Sequence, residues 1–217
     1  IYLDEANSKH AVAVLRMQPG EKLHLTDGNG QLFIAVIVSP HKKNCSIRLL
    51  EKKNLPRPSA RVTIAISPVK NAARLEWFLE KATEIGVAEI IPLICQRTEK
   101  SHLRFERMEQ ILISAMLQSQ QVWLPKLHIP LSFSNVVSQT RFGRKWIAHC
   151  MPLSRRSLRE QGVALTDQLL LIGPEGDFTP AEIEEAIQAN CIPVLLGDTR
   201  LRTETAGMVG ATLLCIG

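Results

Sequence analysis

Two glycine-bearing loops in the C-terminal third of the chain carry residues whose types and spacing could do chemistry. The first is Gly173-Pro-Glu-Gly-Asp-Phe178, which follows a short apolar run. It precedes Thr179-Pro-Ala-Glu182, a helix start with an N-cap hydroxyl, an early proline and a glutamate at N3. Ligands of α/β sheets bind outside the carboxyl ends of the strands, where such a loop would lie. The loop is therefore a candidate binding site.

The charges of this loop narrow the class of ligand. A phosphate cradle would normally supply a lysine after the glycines, whereas this loop carries Glu175 and Asp177 and no basic residue. A neutral or cationic ligand held by backbone groups is therefore favoured. S-adenosylmethionine, with its sulfonium and ammonium charges, fits this description better than ATP does. A purely structural turn between strand and helix is the alternative.

The second loop belongs to Leu195-Leu-Gly-Asp-Thr-Arg-Leu-Arg-Thr-Glu-Thr-Ala206 and also joins a predicted strand to a helix. Arg200, Arg202 and Glu204 could form a site or a solvated ion-pair cluster, and both interpretations stay open. The helix that follows places small residues on adjoining turns, at Ala206, Gly207, Gly210 and Ala211. Each glycine costs about 1 kcal/mol of helix propensity. This pattern predicts that another backbone or a second subunit approaches the helix closely.

The elements that would position these loops alternate between strand and helix from residue 61 onward. Short β-branched or leucine-rich runs predict strands at residues 62–66, 90–94, 145–150, 168–172 and 193–196. Helical periodicity predicts helices at residues 73–85, 104–121, 154–160, 181–189 and 205–215. The alternation predicts an α/β fold with a largely parallel sheet.

The first 60 residues have a different, mostly β character. We predict a helix at residues 6–15 and strands at residues 22–27, 31–38 and 45–50, with Asp27-Gly-Asn-Gly30 as a hairpin turn. Residues 52–58 are polar and contain prolines, so we expect a linker that cannot continue the sheet. The sequence thus predicts a small domain over residues 1–60 and a larger one over residues 61–217.

The charge and composition of the chain limit the functions that it can have. Residues 1–150 hold 21 basic and 12 acidic side chains, whereas residues 151–217 hold 5 basic and 9 acidic side chains. A polyanion should therefore bind to the first two-thirds of the chain. The alternative is that the charges are scattered by chance over the surface. The five cysteines and six histidines show no metal-ligand spacing, so we expect no metal. No run approaches the ~20 apolar residues of a membrane span and no leader opens the chain, so we expect a cytoplasmic protein.

Taken together, Leu171-Ile-Gly-Pro-Glu-Gly-Asp-Phe178 and the segment from Leu195 to Ala206 closely resemble the two cofactor loops of the 16S rRNA uracil-N3-methyltransferase family. Further segments are similar to that family at residues 77–87, 92–100 and 115–119, so the likeness spans about residues 62–217. The first 60 residues are matched only loosely, through Val14-Leu-Arg-Met17 and the Pro19-Gly20 turn.

The resemblance implies an α/β domain of the SPOUT type whose C-terminal segment threads a trefoil knot, preceded by a small PUA-like β-barrel that binds RNA. It implies S-adenosylmethionine as the cofactor, 16S rRNA of the small ribosomal subunit as the substrate, and N3 of a uridine as the methyl acceptor. It also implies a homodimer with the active site at the subunit interface.

Five residues at three sites depart from the family pattern. Asp177 stands where glycine is usual, Asp198-Thr199 where Pro-Arg is common, and Gln120-Gln121 where a Gly-Arg pair is expected. These departures keep two alternatives open. The chain could be a non-catalytic RNA-binding or ribosome-assembly factor on the same fold, or a SPOUT enzyme with another RNA target.

We assign roles to individual residues on this basis. Arg202 is expected to stabilise the charge that develops on the uracil, and Glu204 to orient Arg202 or relay the proton, unless Glu204 is only a first-turn helix acid. The expected cofactor residues are Leu171, Ile172, Gly173, Pro174, Glu175, Gly176, Leu196, Gly197, Leu201, Thr203 and His149. The expected RNA phosphate contacts are Lys9, Arg16, Lys42, Lys43, Lys52, Lys53, Arg57 and Arg61.

Overall fold

The computed structural model describes residues 1–99, 103–161 and 165–216 of the 217-residue chain. Lys100 and Gly217, which fall within segments named above, lie outside the described residues. The chain divides into two compact units, residues 1–57 and residues 58–217. Each unit has a hydrophobic core of its own.

The smaller unit is built on an antiparallel three-stranded sheet. Helix α1 (Glu5–Lys9) runs into a π-helical turn (His10–Val14), and strands β1 (Lys22–Thr26), β2 (Gln31–Ser39) and β3 (Ser46–Asn54) pair in the order β1-β2-β3. Buried residues of β2 and β3 form the core with Cys45. The predicted helix and hairpin are confirmed, and Gly28 and Gly30 supply the left-handed φ values that the turn requires.

The predicted linker was wrong in its first three residues. Strand β3 continues through Lys52, Lys53 and Asn54, which pair with residues 31–33 of β2. Because β3 is an edge strand whose second half is exposed, long polar side chains are tolerated there. The chain leaves the sheet only after Asn54, just before the prolines.

The larger unit alternates strands and helices as predicted. Its strands are β4 (Val62–Ile66), β5 (Glu89–Ile94), β6 (Lys126–Leu127), β7 (Leu131–Ser132), β8 (Arg144–Ala148), β9 (Arg156–Ser157), β10 (Gln168–Ile172) and β11 (Cys191–Leu195). Its helices are α2 (Ala72–Ile85), α3 (Phe105–Gln118), α4 (Phe133–Val137), α5 (Pro180–Gln188) and α6 (Thr203–Cys215). Among the described residues the sheet order is β6-β5-β4-β10-β8-β11-β9, with β7 beside β5, and every pair is parallel. The predicted α/β fold with a parallel sheet is confirmed.

The helix predicted at residues 154–160 was wrong. Residues Arg156–Ser157 form β9, which pairs with the end of β11, and Leu158–Gln161 form a single 3-10 turn. Sheet pairing at an edge therefore overrides the local helical pattern. Strands β6 and β7 and helix α4 were not predicted, because two to five residues are too few to establish a period.

The central strands are buried on both faces, as parallel strands usually are. Every residue of β4 and β10 is buried. On one face Ile64, Phe78 and Leu170 belong to a core that α2, α3 and α6 cover, and on the other Leu169, Leu171 and Phe178 belong to a second core near α4 and α5. The helix start marked in the sequence is confirmed, since Thr179 and Glu182 form a capping box at α5.

The small residues of α6 do admit a close approach, but from side chains and not from a backbone. A Cβ atom on Gly207 would lie 2.7 Å from Cε2 of Phe78 and 2.9 Å from Cδ1 of Ile66. A Cβ atom on Gly210 would meet Leu170. Helix α6 thus packs directly onto β4, β10 and α2, and the glycines make room for large side chains of the core.

A cluster of ion pairs fixes the amino ends of three parallel strands. Glu89, at the start of β5, is buried and accepts hydrogen bonds of 3.0 and 2.8 Å from Arg141 and one of 2.7 Å with His128 Nε2. Asp167, just before β10, accepts from the backbone and guanidinium of Arg61. Burial raises the pKa of Glu89, but the hydrogen bonds from Arg141 and His128 outweigh it and leave the pKa below its usual value.

Replacing Glu89 by Gln is expected to lower the free energy of unfolding by about 2 kcal/mol at pH 7, because charge-assisted hydrogen bonds are lost. Since the folded pKa of Glu89 is depressed, its contribution is present above the unfolded pKa of about 4.3 and disappears as pH falls through the folded value. The melting temperatures of the protein and the variant should therefore converge as the pH falls below the unfolded pKa of about 4.3. The exposed Glu109→Gln serves as the control. A gap that stays constant with pH would contradict this account.

None of the helices within the described residues is both long and apolar enough to cross a membrane.

Candidate active site

The two loops singled out in the sequence meet at the carboxyl ends of β8, β10 and β11. A cavity of about 410 Å³ lies there, and its lining consists of Arg74, Ala148, Cys150, Ile172, Gly173, Pro174, Glu175, Asp177, Arg200, Leu201, Arg202, Thr203 and Ala206. A smaller cavity of about 80 Å³ is lined by Ala148, His149, Cys150, Arg155, Val194, Leu195, Leu196, Gly197, Thr199, Leu201 and Ala206. The two share Ala148, Cys150, Leu201 and Ala206, so they form adjoining parts of one site.

Most of the predicted cofactor residues line this site. Ile172, Gly173, Pro174, Glu175, Leu201 and Thr203 face the larger cavity, and His149, Leu196 and Gly197 face the smaller one, with Leu201 in both. Two are not part of the lining. Leu171 is fully buried in the core, because alternate residues of β10 point to opposite faces of the sheet. Gly176 uses its carbonyl to accept a 2.7 Å hydrogen bond from Arg97 Nη1.

Asp177 has a structural role that the sequence did not reveal. Its φ is +63°, in the left-handed region where glycine is favoured and aspartate is tolerated. Its Oδ2 accepts a 2.8 Å hydrogen bond from the backbone N–H of Cys150, and its Oδ1 accepts one of 2.8 Å from Phe178 N–H. An aspartate in place of the usual glycine therefore adds a hydrogen bond between the loop and the segment that follows β8.

Two further contacts hold the loops together. Thr203 Oγ1 donates a 3.1 Å hydrogen bond to the carbonyl of Gly173, which joins the start of α6 to the first loop. The backbone N–H of Gln96 donates a 2.8 Å hydrogen bond to Glu182, which joins the segment after β5 to the start of α5. With the Arg97 contact, these bonds fix the first loop from both sides.

Arg74 is a site residue that sequence reasoning missed. It lies in the first turn of α2 and faces the larger cavity, with Nη1 3.8 Å from Glu175 Oε1 and Nε 3.7 Å from Glu204 Oε1. The available signal was its position just after β4, which neighbours β10 in the sheet. Arg200 and Arg202 line the same cavity. Three guanidinium groups thus face an otherwise acidic site.

Glu204 lies in the first turn of α6, as the alternative of a helix acid requires, and its ion pair is with Arg74 instead of Arg202. Its expected role as a proton relay stays a prediction. Glu204 is buried outside the cavity lining, with one carboxylate oxygen directed at Arg74. Its other oxygen, Oε2, has no hydrogen-bond partner within the described residues. Arg202 precedes α6 as its N-cap residue, with extended backbone, whereas Glu204 lies in the first turn of the helix.

His149 and Arg155 place polar groups in the smaller cavity. His149 is 5% exposed, and neither ring nitrogen has a partner in the described part of the chain. The Nε of Arg155 is also buried without a partner there, although its Nη1 donates a 2.5 Å hydrogen bond to the carbonyl of His149. Burial lowers the pKa of His149 and the charge of Arg155 lowers it further, while Asp177 acts in the opposite direction.

The predicted RNA contacts divide into exposed residues and one that is already engaged. Lys9, Arg16, Lys42, Lys43, Lys52, Lys53 and Arg57 are all exposed. Lys43 lies 4.0 Å from Glu5, and Lys53 lies 3.4 Å from Glu51, distances typical of weak surface pairs. Arg61 instead belongs to the ion-pair cluster with Asp167, so it is not part of the proposed RNA surface.

Gln121, where an arginine was expected, donates hydrogen bonds to the carbonyls of Thr83 and Glu84 at the end of α2.

The described residues contain no group of three or more His, Cys, Asp or Glu side chains that could hold a metal ion. The site is thus a cavity between loops at the carboxyl edge of a parallel sheet, which is where α/β enzymes bind a cofactor.

Comparison with known proteins identifies the family. The RNA methyltransferase domain matches residues 56–215, and the RNA methyltransferase PUA domain matches residues 3–50. Because the first match covers most of the chain, the chain belongs to the family of RNA methyltransferases that includes the ribosomal RNA small subunit methyltransferases E.

Relatives and solved structures agree with this assignment. The chain is 31% identical to the ribosomal RNA small subunit methyltransferase E of Buchnera aphidicola subsp. Acyrthosiphon pisum, over 98% of this chain and 86% of that protein. It is similar to a probable rRNA-methyltransferase from Porphyromonas gingivalis, with a TM-score of 0.91, 39% identity, and 97% and 90% of the two chains covered. A putative methyltransferase of Legionella pneumophila, in complex with the bound cofactor SAM, has a TM-score of 0.86 and 30% identity, covering 98% and 90%.

Proposed function

We propose that this protein transfers a methyl group from S-adenosylmethionine to N3 of a uridine in 16S rRNA of the small ribosomal subunit. The observation that carries the proposal is the two-part cavity into which both predicted loops project. Family membership supports rRNA methylation, because the relatives are named ribosomal RNA small subunit methyltransferases E. The Legionella relative with bound SAM supports the cofactor.

The residues of the cavity fit S-adenosylmethionine. Glu175 and Asp177 provide negative charge for a ligand that carries a sulfonium and an ammonium, and no lysine belongs to the lining among the described residues. The arginines can bind its carboxylate. Backbone groups of residues 172–175, 196–197 and 201, with the side chains of Thr203 and His149, would hold the molecule.

The chemistry requires proton removal and precise placement. Uracil N3 is an imide nitrogen that is a poor nucleophile while protonated, and its deprotonation puts negative charge on the two neighbouring carbonyl oxygens. When bound, S-adenosylmethionine supplies an electrophilic methyl group on its sulfonium. Arg202, which lines the cavity, would stabilise the charge on the uracil oxygens. Fixing both reactants in line can lower the barrier by up to roughly 7–11 kcal/mol.

Glu204 is assigned a positioning role in place of the predicted contact with Arg202. Its carboxylate faces Arg74, which also lies near Glu175. We propose that Glu204 holds Arg74 at the cavity wall. Arg200 and Arg74 then supply further positive charge for anionic groups of the substrate.

We further propose the domain roles and assembly that the family resemblance implies. Residues 1–60 would form a PUA-like RNA-binding barrel, supported by the PUA match at residues 3–50 and by the exposed lysines and arginines of that unit. Residues 61–217 would form the SPOUT domain with its C-terminal knot, supported by the tight packing of α6 onto β4 and β10. A cytoplasmic homodimer that uses no metal completes the proposal, and the exposed Trp77 and Ile216 offer apolar surface for a second subunit.

The experiment is a methyl-transfer assay on small ribosomal subunits purified from cells that lack this protein. Digestion of the rRNA and mass spectrometry of its nucleosides should reveal 3-methyluridine, whereas subunits from cells that contain the protein should accept little further methyl. Another methylated nucleoside would favour an enzyme with a different RNA target. Absence of both methyl transfer and S-adenosylmethionine binding would favour a non-catalytic RNA-binding or ribosome-assembly factor.

A further inference from the structure

Cys150 lies where the two parts of the site meet. All five cysteines fall within the described residues, and Cys150 alone is exposed. It belongs to the lining of both cavities. Its backbone N–H donates a 2.8 Å hydrogen bond to Asp177 Oδ2, and the carbonyl of the preceding residue, His149, accepts one from Arg155. Hydrogen bonds on both sides therefore hold Cys150 at the junction of the two cavities.

The other four cysteines are poorly placed to react. Cys45, Cys95 and Cys191 are buried, and Cys215 is only partly exposed. Burial raises the pKa of the Cys191 thiol to about 11 and that of the Cys215 thiol to about 12. Because the thiolate and not the thiol is the nucleophile, these residues should react slowly. A reagent that modifies cysteines should therefore select Cys150.

The space beside Cys150 has the properties of a ligand site. His149 is 5% exposed, yet neither of its ring nitrogens has a partner in the part of the chain that the structure describes. Buried polar groups are nearly always hydrogen-bonded, so these atoms point to a ligand that supplies a partner. The larger cavity, of about 410 Å³, is within the size range of small-molecule sites. A group attached to the Cys150 sulfur would thus enter a space that accepts ligands.

The charges around this space favour a reagent that carries carboxylates. Arg200 and Arg202 line the larger cavity, and Arg155 lines the smaller one. Guanidinium groups bind carboxylates through strong, often bidentate hydrogen bonds. Glutathione disulfide carries both carboxylates and ammonium groups, and Glu175 in the same lining can pair with an ammonium. A small peptide disulfide therefore matches the lining better than an uncharged disulfide does.

We propose that Cys150 is a modification site, at which a low-molecular-weight disulfide such as glutathione disulfide forms a mixed disulfide that excludes S-adenosylmethionine. The thiolate of Cys150 attacks one sulfur of the reagent, so a new S–S bond forms and the original S–S bond breaks. The other half of the reagent leaves as a thiolate and takes up the proton that Cys150 lost.

The adduct would occupy space that both cavities share, so it and the methyl donor cannot bind together. Methyl transfer thereby becomes sensitive to the thiol–disulfide balance of the surroundings, and reduction of the mixed disulfide restores it. The inference rests on the proposed function, because it concerns the site that the methyl donor is proposed to fill.

The first arm of the test uses the unaltered full-length protein and needs no variant. The protein is incubated with glutathione disulfide, and its intact mass and its peptides are analysed by mass spectrometry. We expect one adduct per chain, on Cys150. Saturating S-adenosylmethionine should slow its formation at least about tenfold, because the two compete for one space. No adduct, an adduct on another cysteine, or a rate that S-adenosylmethionine leaves unchanged would overturn the inference.

The second arm measures cofactor binding after modification. The purified adduct should bind S-adenosylmethionine at least about tenfold more weakly in calorimetry, and reduction with dithiothreitol should restore the affinity. Cys150→Ser should have the same affinity before and after treatment with glutathione disulfide. The matched control Cys215→Ser should lose affinity on treatment as the unaltered protein does. An adduct on Cys150 that binds S-adenosylmethionine normally would contradict the proposal.

The outcomes separate this inference from the proposed function. If the untreated protein methylates small subunits but the adduct forms elsewhere or leaves cofactor affinity intact, the inference fails and the proposed function stands. If the adduct on Cys150 excludes S-adenosylmethionine but the untreated protein transfers no methyl group to rRNA, the inference stands and the proposed function fails. If the untreated protein binds no S-adenosylmethionine, both fail.

Discussion

Replacing Arg202 by Ala is expected to lower the rate of methyl transfer to small-subunit rRNA by about 10²–10³-fold, because a positive charge directed at the developing negative charge is removed. Arg202 is exposed and lines the larger cavity, so its loss should leave folding unaffected. The measurement is single-turnover transfer of a labelled methyl group to purified small subunits, with S-adenosylmethionine affinity determined in parallel by calorimetry.

Two further variants sharpen this prediction. Arg202→Lys keeps a positive charge but loses the planar guanidinium, so it should recover only part of the activity. Arg159→Ala changes an exposed arginine outside both cavities and should react at the normal rate. Near-normal turnover of Arg202→Ala would remove this residue from the mechanism, and a lowered melting temperature would assign it to stability.

Replacing Gly207 by Val should lower the free energy of unfolding of the protein. A Cβ atom added at this position would lie within 3 Å of the buried side chains of Phe78 and Ile66, so the carbons of valine force these side chains or the helix to move. Overpacking of this kind costs about 1–3 kcal/mol, and the slightly better helix propensity of valine offsets only a few tenths. The melting temperature should fall by about 2–10 °C.

A matched substitution on the same helix isolates the steric cause. Thr212 is exposed on α6, so Thr212→Val should alter the free energy of unfolding by no more than about 0.5 kcal/mol. Thermal unfolding followed by circular dichroism compares the two. If Gly207→Val were as stable as the unaltered protein, the close packing of α6 onto Phe78 and Ile66 would be incorrect.

The strands and helices that position the site could be predicted from the sequence, whereas most contacts within the site could not. Buried parallel strands such as β4 and β10 are continuous apolar runs, and the capping box at Thr179 marks its helix directly. The end of β3 and the segment at β9 were mispredicted, because pairing with a neighbouring strand overrode local composition. Sheet pairing is a long-range effect that a local pattern cannot contain.

Within the site, residue types were predictable and partners were not. The acidic, lysine-free loop was evident from the sequence, and Glu175 and Asp177 do line the larger cavity. That Glu204 faces Arg74 depends on how α2 packs against α6, and that Asp177 holds Cys150 depends on the order of β8 and β10 in the sheet. Neither follows from spacing along the chain.

The parallel sheet of the larger unit gives its two ends different physical roles. Hydrogen-bonded charges around Glu89 and Asp167 lie at one end, while at the other end buried atoms of His149, Arg155 and Glu204 have no partner in the part of the chain that the structure describes. The stability that the ion-pair cluster contributes can offset the cost of burying unpaired polar groups at the cavity. Substitutions that adapt the protein to temperature should therefore lie mainly at the amino ends of the strands. Substitutions that change ligand specificity should lie mainly at the carboxyl ends.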